Sequence, residues 1–138
     1  MNNSIVLLGS TGSIGVNTLI IAKRYNIAIE ALVAGNNIDL LNQQIKEHQP
    51  QIVAIANEAD KAKVNHPNVL CGAQGILTLI EMSKSDTVVN ALVGYTGLAP
   101  TLKATSLGKR VSLANKESLV VAGEFIDMSL ITPIDSEH

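Results

Sequence analysis

Aromatic side chains are nearly missing from this chain: tryptophan is absent, and two tyrosines and one phenylalanine make up 2% of its 138 residues. Since 46% of the residues are nonetheless hydrophobic, the core must be built of Ile, Leu, Val and Ala, the usual material of buried parallel strands and their covering helices. Cys71 is the single cysteine. No internal disulfide can form, which fits a reducing compartment, and Cys71 reads as a small buried hydrophobe. A basic excess is missing too. Ten Lys and Arg against twelve Asp and Glu leave a formal charge of −2, so nucleic-acid binding has no electrostatic support. No apolar run approaches the roughly 18 residues of a membrane span, and Met1-Asn2-Asn3-Ser4 lacks the basic start of a secretory signal. A cytoplasmic protein without a membrane partner is expected. The length suits one domain with a single core, and repeats, low-complexity segments and linkers are absent.

What the chain does have is Gly9-Ser10-Thr11-Gly12-Ser13-Ile14-Gly15, placed after an apolar run, residues 4–8, and before an expected helix, residues 16–25. Strand, glycine turn and helix form the phosphate-binding arrangement. Glycine suits the tight turn, the approach of a pyrophosphate to the backbone and the helix–strand contact, while the helix N-terminus offers N–H donors and a positive dipole end. A dinucleotide is the expected ligand. The spacing Gly-x-x-Gly-x-x-Gly differs from the commoner Gly-x-Gly-x-x-Gly, and glycine triplets also arise by chance in loops, so the context carries the reading. A Walker-type loop is excluded, because Val16-Asn17-Thr18 stand where Gly-Lys-Ser/Thr is needed.

Residues 27–34 read as a second strand ending at Gly35-Asn36-Asn37. In NAD-dependent folds a carboxylate about 20 residues beyond the glycines accepts from the ribose 2′-hydroxyl. None stands here, and Glu30 lies inside the strand, too early for that role. The cofactor choice therefore leans toward NADP, although no Lys or Arg is present to hold its 2′-phosphate.

Further on, residues 39–48 form a helix started near Asp39 and stopped by Gln49-Pro50, residues 51–56 a strand, and residues 58–64 a short polar helix. A brief strand (69–71), a turn (72–75) and a helix (76–82) come next. Residues 87–93 are a strand closed by Gly94-Tyr95-Thr96-Gly97, and residues 98–107 a helix ended by Gly108. A strand (109–114), a helix (117–128) and a last strand (129–134) lead to Asp135-Ser136-Glu137-His138. This alternation argues an α/β fold with a doubly wound, mostly parallel sheet and right-handed crossovers. Ligands of such sheets lie beyond the carboxyl ends of the strands. Residues 9–15, 35–37, 94–97, 115–118 and 135–138 should accordingly converge on one crevice.

Asn115-Lys116-Glu117-Ser118 stands between a strand and a helix start. Capping explains Asn115 and Glu117. Lys116 does not fit that explanation, since a cation disfavours a helix N-terminus and better suits an anionic substrate or a cofactor phosphate. Asp135 and Glu137, two apart after a strand, put both carboxylates on one side if the extended geometry continues. Oxygen pairs of this kind suit magnesium or manganese, yet spacing alone favours a solvated acidic chain end. His48 and His66 read as surface residues, and His138 has no evident role.

Leu8-Gly9-Ser10-Thr11-Gly12-Ser13-Ile14-Gly15, Ala91-Leu92-Val93-Gly94, Leu113-Ala114-Asn115-Lys116-Glu117-Ser118-Leu119-Val120 and Pro133-Ile134-Asp135-Ser136-Glu137-His138 together resemble the 1-deoxy-D-xylulose 5-phosphate reductoisomerase family. The resemblance runs from end to end. It implies a Rossmann-like dinucleotide-binding domain of an NADPH-dependent, divalent-metal enzyme of non-mevalonate isoprenoid biosynthesis. Such an enzyme makes 2-C-methyl-D-erythritol 4-phosphate, is inhibited by fosmidomycin and works as a homodimer. Carried over residue by residue, the resemblance has Thr11, Gly12, Ser13, Ile14, Gly35, Asn36, Asn37, Asn115 and Glu117 contact NADPH. It has Lys116, Ser136 and Glu137 contact the sugar phosphate, Asp135 and Glu137 bind magnesium or manganese, and Lys116 and Glu137 act in catalysis. Many relatives carry Lys or Arg where Asn36 stands. The family's chain also continues beyond Asp-Ser-Glu-His, supplying a third metal carboxylate and a lid. Residues 1–138 are thus expected to be the NADPH-binding domain, ending at the start of the metal and substrate site, without the catalytic and C-terminal domains and without turnover alone. The alternative is a nucleotide-binding or regulatory module with no catalysis, which the fold equally permits.

Overall fold

The computed structural model describes residues 4–92 and 98–113. Its elements alternate as β1 (Ser4–Leu8), α1 (Ser13–Arg24), β2 (Ala28–Val33), α2 (Ile38–His48), β3 (Ile52–Ile55), a 3-10 turn (Glu58–Lys63), β4 (Val69–Cys71), α3 (Gly72–Met82), β5 (Thr87–Asn90), α4 (Leu98–Ser106) and β6 (Arg110–Leu113). All six strands join one sheet in the order β4-β3-β2-β1-β5-β6, and every neighbouring pair is parallel. The chain winds outward from β1 to β4, returns through α3 to the other side of β1, and ends on β6. That return makes the gap between β1 and β5 the switch point at which doubly wound sheets hold ligands.

Both faces of the sheet are covered, so the strands are apolar without interruption, and the side-chain period of two sorts them. Ile5 and Leu7 of β1 join Leu32, Val53, Ile55 and Val89 under α1 and α2, contributed by Leu19, Ile21, Leu41 and Ile45. Val6 and Leu8 point the other way, onto Ala31, Val33, Ala54, Val88 and the α3 and α4 residues Leu79, Ile80 and Ala104.

The helix ends depart from the sequence expectations in informative ways. Helix α1 begins at Ser13, not Val16, because Gly12 adopts the extended cap conformation and Val16 N–H already reaches Gly12 O at 2.9 Å. Helix α2 is capped by Asn37, whose Oδ1 accepts from Leu40 N–H at 3.2 Å, which leaves Asp39 in the first turn. The expected turn at residues 72–75 is the start of α3. Two glycines suggested a break, but Gly75 lets the helix lie against β4, where an added Cβ would come within 3.1 Å of the Leu70 backbone. His48 and His66 are half-buried rather than surface residues. His66 Nε2 donates to Pro50 O at 2.7 Å while its Nδ1 accepts from Asn68 N–H; burial, opposed by Glu47, pushes the His48 imidazolium to release its proton more readily. The expected elements at 117–128 and 129–134 lie outside the described residues.

At the edge opposite the switch point, Glu30 of β2 clasps the segment ahead of β5. Its carboxylate accepts from Lys84 N–H (2.8 Å), Ser85 N–H (2.8 Å) and Ser85 Oγ (2.5 Å), and Lys109 Nζ donates to Ser85 O at 2.6 Å. Burial opposes ionisation of Glu30, but these donors and the Lys109 charge outweigh it and hold the carboxyl below its ordinary 4.5. A carboxyl depressed on folding stabilises the fold above its unfolded pKa and ceases to do so as pH falls through the folded one. The urea midpoint of the parent should therefore exceed that of Glu30→Gln at neutral pH, and the gap should close progressively below pH 4.5.

Candidate functional site

The glycine turn leaves β1 at the switch point, and its three glycines perform three different tasks. Gly9 takes φ +84°, and an added Cβ would meet the Ala91 carbonyl at 2.9 Å, so the turn is pressed against the chain leaving β5. Gly15 sits on the inner face of α1, where a Cβ would lie 2.0 Å from Gly9 O. Gly12 differs: a Cβ there would find only Gly9 O, at an ordinary 3.8 Å. Packing thus demands glycine at positions 9 and 15 but not at 12, where the bare backbone opens outward.

Donors gather beside that opening. The N–H groups of Ser13, Ile14 and Gly15 precede the first intrahelical bond of α1, no side chain caps them, and no acid occupies the first turn. An anion is the natural complement of such a helix start. Ser13 is exposed and Thr11 half-buried. The Ile14 side chain packs on the core, so only its backbone is available to a ligand.

Residues 35–37 are brought alongside, because Gly9 N–H (2.7 Å) and Ser10 N–H (2.9 Å) both donate to Val33 O at the end of β2. Gly35, Asn36 and Asn37 are exposed. Asn36 Oδ1 accepts from Asn57 Nδ2 at 3.2 Å, while Asn37 is committed to capping α2. Glu30 points its carboxylate to the opposite edge, consistent with its exclusion from the ribose position. A groove between α1 and α2 is lined by helix side chains such as Ile20 and Leu40, with no residue of the glycine turn.

Thr11, Gly12, Ser13, Ile14, Gly35, Asn36 and Asn37 are therefore brought together at one sheet edge. Asn115, Lys116, Glu117, Asp135, Ser136 and Glu137 lie outside the described residues, as do Val93 and Gly94. Among the described residues no group of three acidic, histidine or cysteine side chains is placed to hold a metal ion. No helix among them is long and apolar enough to cross a membrane.

Two residues escaped the sequence reading. Asn90, buried at the end of β5, donates to Thr101 Oγ1 at 2.7 Å and accepts from Leu92 N–H at 3.0 Å, fixing how the chain leaves the strand. Gln44, buried on α2, donates to Ser10 O at 2.8 Å. A polar residue in step with Ile38, Leu41 and Ile45 was the available signal.

The family model of 1-deoxy-D-xylulose 5-phosphate reductoisomerase matches residues 5–123. The chain belongs to this family. It is 62% identical over 133 residues to a reductoisomerase of Nautilia profundicola and 57% identical over 133 residues to one of Campylobacter lari. Each match covers 96% of this chain but 36% and 37% of the relative, so the chain spans little more than a third of their length. Among solved structures it resembles the Zymomonas mobilis reductoisomerase in complex with NADPH, with TM-score 0.75 and 30% identity over 99% of this chain and 37% of that one. A reductoisomerase in complex with magnesium gives TM-score 0.73 and 32% identity, covering 98% of this chain and 36% of that one. The α/β reading is borne out: six parallel strands with covering helices match the fold of these reductoisomerase structures.

Gly15→Ala should lower stability by about 3 kcal/mol, since backbone must move to admit the methyl group. Gly12→Ala should cost under about 1 kcal/mol, the loss of a tolerable cap residue. Urea unfolding of the two variants checks this, and equal losses would contradict the division of labour among the glycines.

Proposed function

We propose that this chain is the NADPH-binding domain of a reductoisomerase that converts 1-deoxy-D-xylulose 5-phosphate to 2-C-methyl-D-erythritol 4-phosphate. The observation that carries this reading is Gly12: packing leaves its Cβ position open, yet the backbone is bare where the donors of α1 converge. A pyrophosphate needs that open approach. Thr11, Gly12, Ser13 and Ile14 would hold it through their N–H groups, and Gly35, Asn36 and Asn37 would lie along the adenosine ribose. The absence of a carboxylate in residues 35–37 favours the 2′-phosphate of NADPH over the bare hydroxyl of NADH.

By membership in the family, Asn115 and Glu117 would complete the cofactor contacts. Lys116, Ser136 and Glu137 would hold the sugar phosphate, with Lys116 and Glu137 catalytic. Asp135 and Glu137 are hard oxygen donors of the kind magnesium and manganese prefer. When bound, NADPH supplies the hydride that reduces the rearranged aldehyde, and the divalent cation polarises the substrate's oxygens. The protein's own contribution is orientation, which can be worth roughly 7–11 kcal/mol of barrier when both reactants are held. The relatives are longer than this chain, and the cavity that holds substrate would need parts of them beyond the matched span. We further propose residues 1–138 as a cofactor domain that alone binds NADPH without turnover, acting within a cytoplasmic homodimer.

Titration of NADPH fluorescence with the purified chain should show saturable binding, and its absence would remove the proposal. Gly12→Val should remain folded yet bind NADPH more weakly by about a factor of ten or more, about 1.4 kcal/mol at the least. Calorimetry on the folded variant measures this.

In competition experiments NADPH should bind more tightly than NADH. Equal affinities would mean that residues 35–37 do not read the ribose.

A further inference from the structure

Gln44 is 6% exposed on the inward face of α2, beside the buried Leu41 and Ile45. An apolar residue would simply extend that stripe, whereas a buried amide is costly unless it is hydrogen-bonded. Among the described residues its Oε1 has no partner, and neither has the buried Oγ of Ser10. Its one bond runs from Nε2 to the carbonyl of Ser10, 2.8 Å away and 34 residues distant in sequence.

We infer that Gln44 is a positioning residue for the glycine turn: by holding Ser10 O in the interior, it aims the Thr11 N–H outward, where a phosphate would lie. Planarity supplies the reason. The Ser10 carbonyl and the Thr11 N–H belong to one peptide unit, in which a trans bond makes them point in opposite directions, and the described chain has no cis peptide. The preceding unit is clamped as well, since Ser10 N–H donates to Val33 O at 2.9 Å. Were the Ser10–Thr11 unit to rotate, an oxygen would replace a donor at the anion's position. Gln44 therefore acts through the backbone and does not touch the ligand. Since α2 is capped by Asn37, the same side chain also couples residues 35–37 to the glycine turn. The inference rests on the NADPH reading for what lies beside Thr11.

Gln44→Met keeps the length of the side chain and removes the donor. Gln44→Glu keeps its shape, lacks the donor when ionised, and stands in if the first variant does not fold. In the ligand-free protein, the Thr11 and Gly12 amide resonances should shift and broaden as the Ser10–Thr11 unit loses its fixed orientation, while α2 keeps its amide-exchange protection, and the NADPH Kd should rise by about tenfold, as for one lost hydrogen bond to a charged group. Unchanged Thr11 and Gly12 resonances, exchange quickened throughout α2, or an unchanged NADPH Kd would each overturn the positioning role. If the parent itself fails to bind NADPH, the cofactor reading falls, and the resonance comparison alone decides the role of Gln44.

Discussion

Gly15 of α1 approaches the Gly9 carbonyl so closely that a methyl group would sit 2.0 Å from the oxygen. Much of the site follows from this contact. It brings the first turn of α1 down onto the end of β1, beside the gap between β1 and β5. The Gly9 backbone is caught at the same time between Val33 O on one side and Ala91 on the other. The turn is thus gripped by both strands that flank β1, and its shape is set by packing before any ligand arrives, which reduces the ordering cost of binding.

The electrostatics of the edge agree with that geometry. Helix α1 carries no acid in its first turn and has Lys23 and Arg24 in its last, so its positive end is left uncompensated and its negative end is neutralised. Helix α2 is built in the ordinary way, with an Asn cap and an acid in its first turn. Of these two neighbouring helices, α1 leaves its first N–H groups and dipole end uncompensated, whereas α2 satisfies them from within the chain.

The two edges of the sheet divide the remaining work. The carboxyl edge carries the glycine turn, residues 35–37 and the Asn90 exit of β5. The amino edge carries a polar clasp in which Glu30, Ser85, Ser4 and Lys109 tie β1, β2 and β6 to the segment before β5. Glu30 shares the second βα unit with residues 35–37 but faces the other way along the strand, so its charge stabilises the sheet away from that loop.

Much of this was legible in the residues alone. The strand, glycine turn and helix order at the N-terminus, the alternation of elements and the avoidance of acid at residues 35–37 are local in sequence. Uninterrupted Ile, Val and Leu runs also announce strands buried on both faces. The misread features have a common physical origin. Gly72 and Gly75 suggested a turn because glycine weakens helices locally, whereas the close seat of α3 on β4 rewards a missing side chain. His48 and His66 were assigned to the surface because neither the packing of α2 nor the carbonyl of Pro50 can be read from neighbours in the chain. By itself the sequence determined the fold class, the family and the place of the glycine turn between the first strand and the first helix, since these depend on periodicity and on residue types at fixed spacing. Only the tertiary structure decided which glycines packing requires and which it leaves open, and that Gln44 holds Ser10, because contacts between residues 9 and 15, 10 and 44, or 9 and 91 exist only once strands and helices are laid against one another.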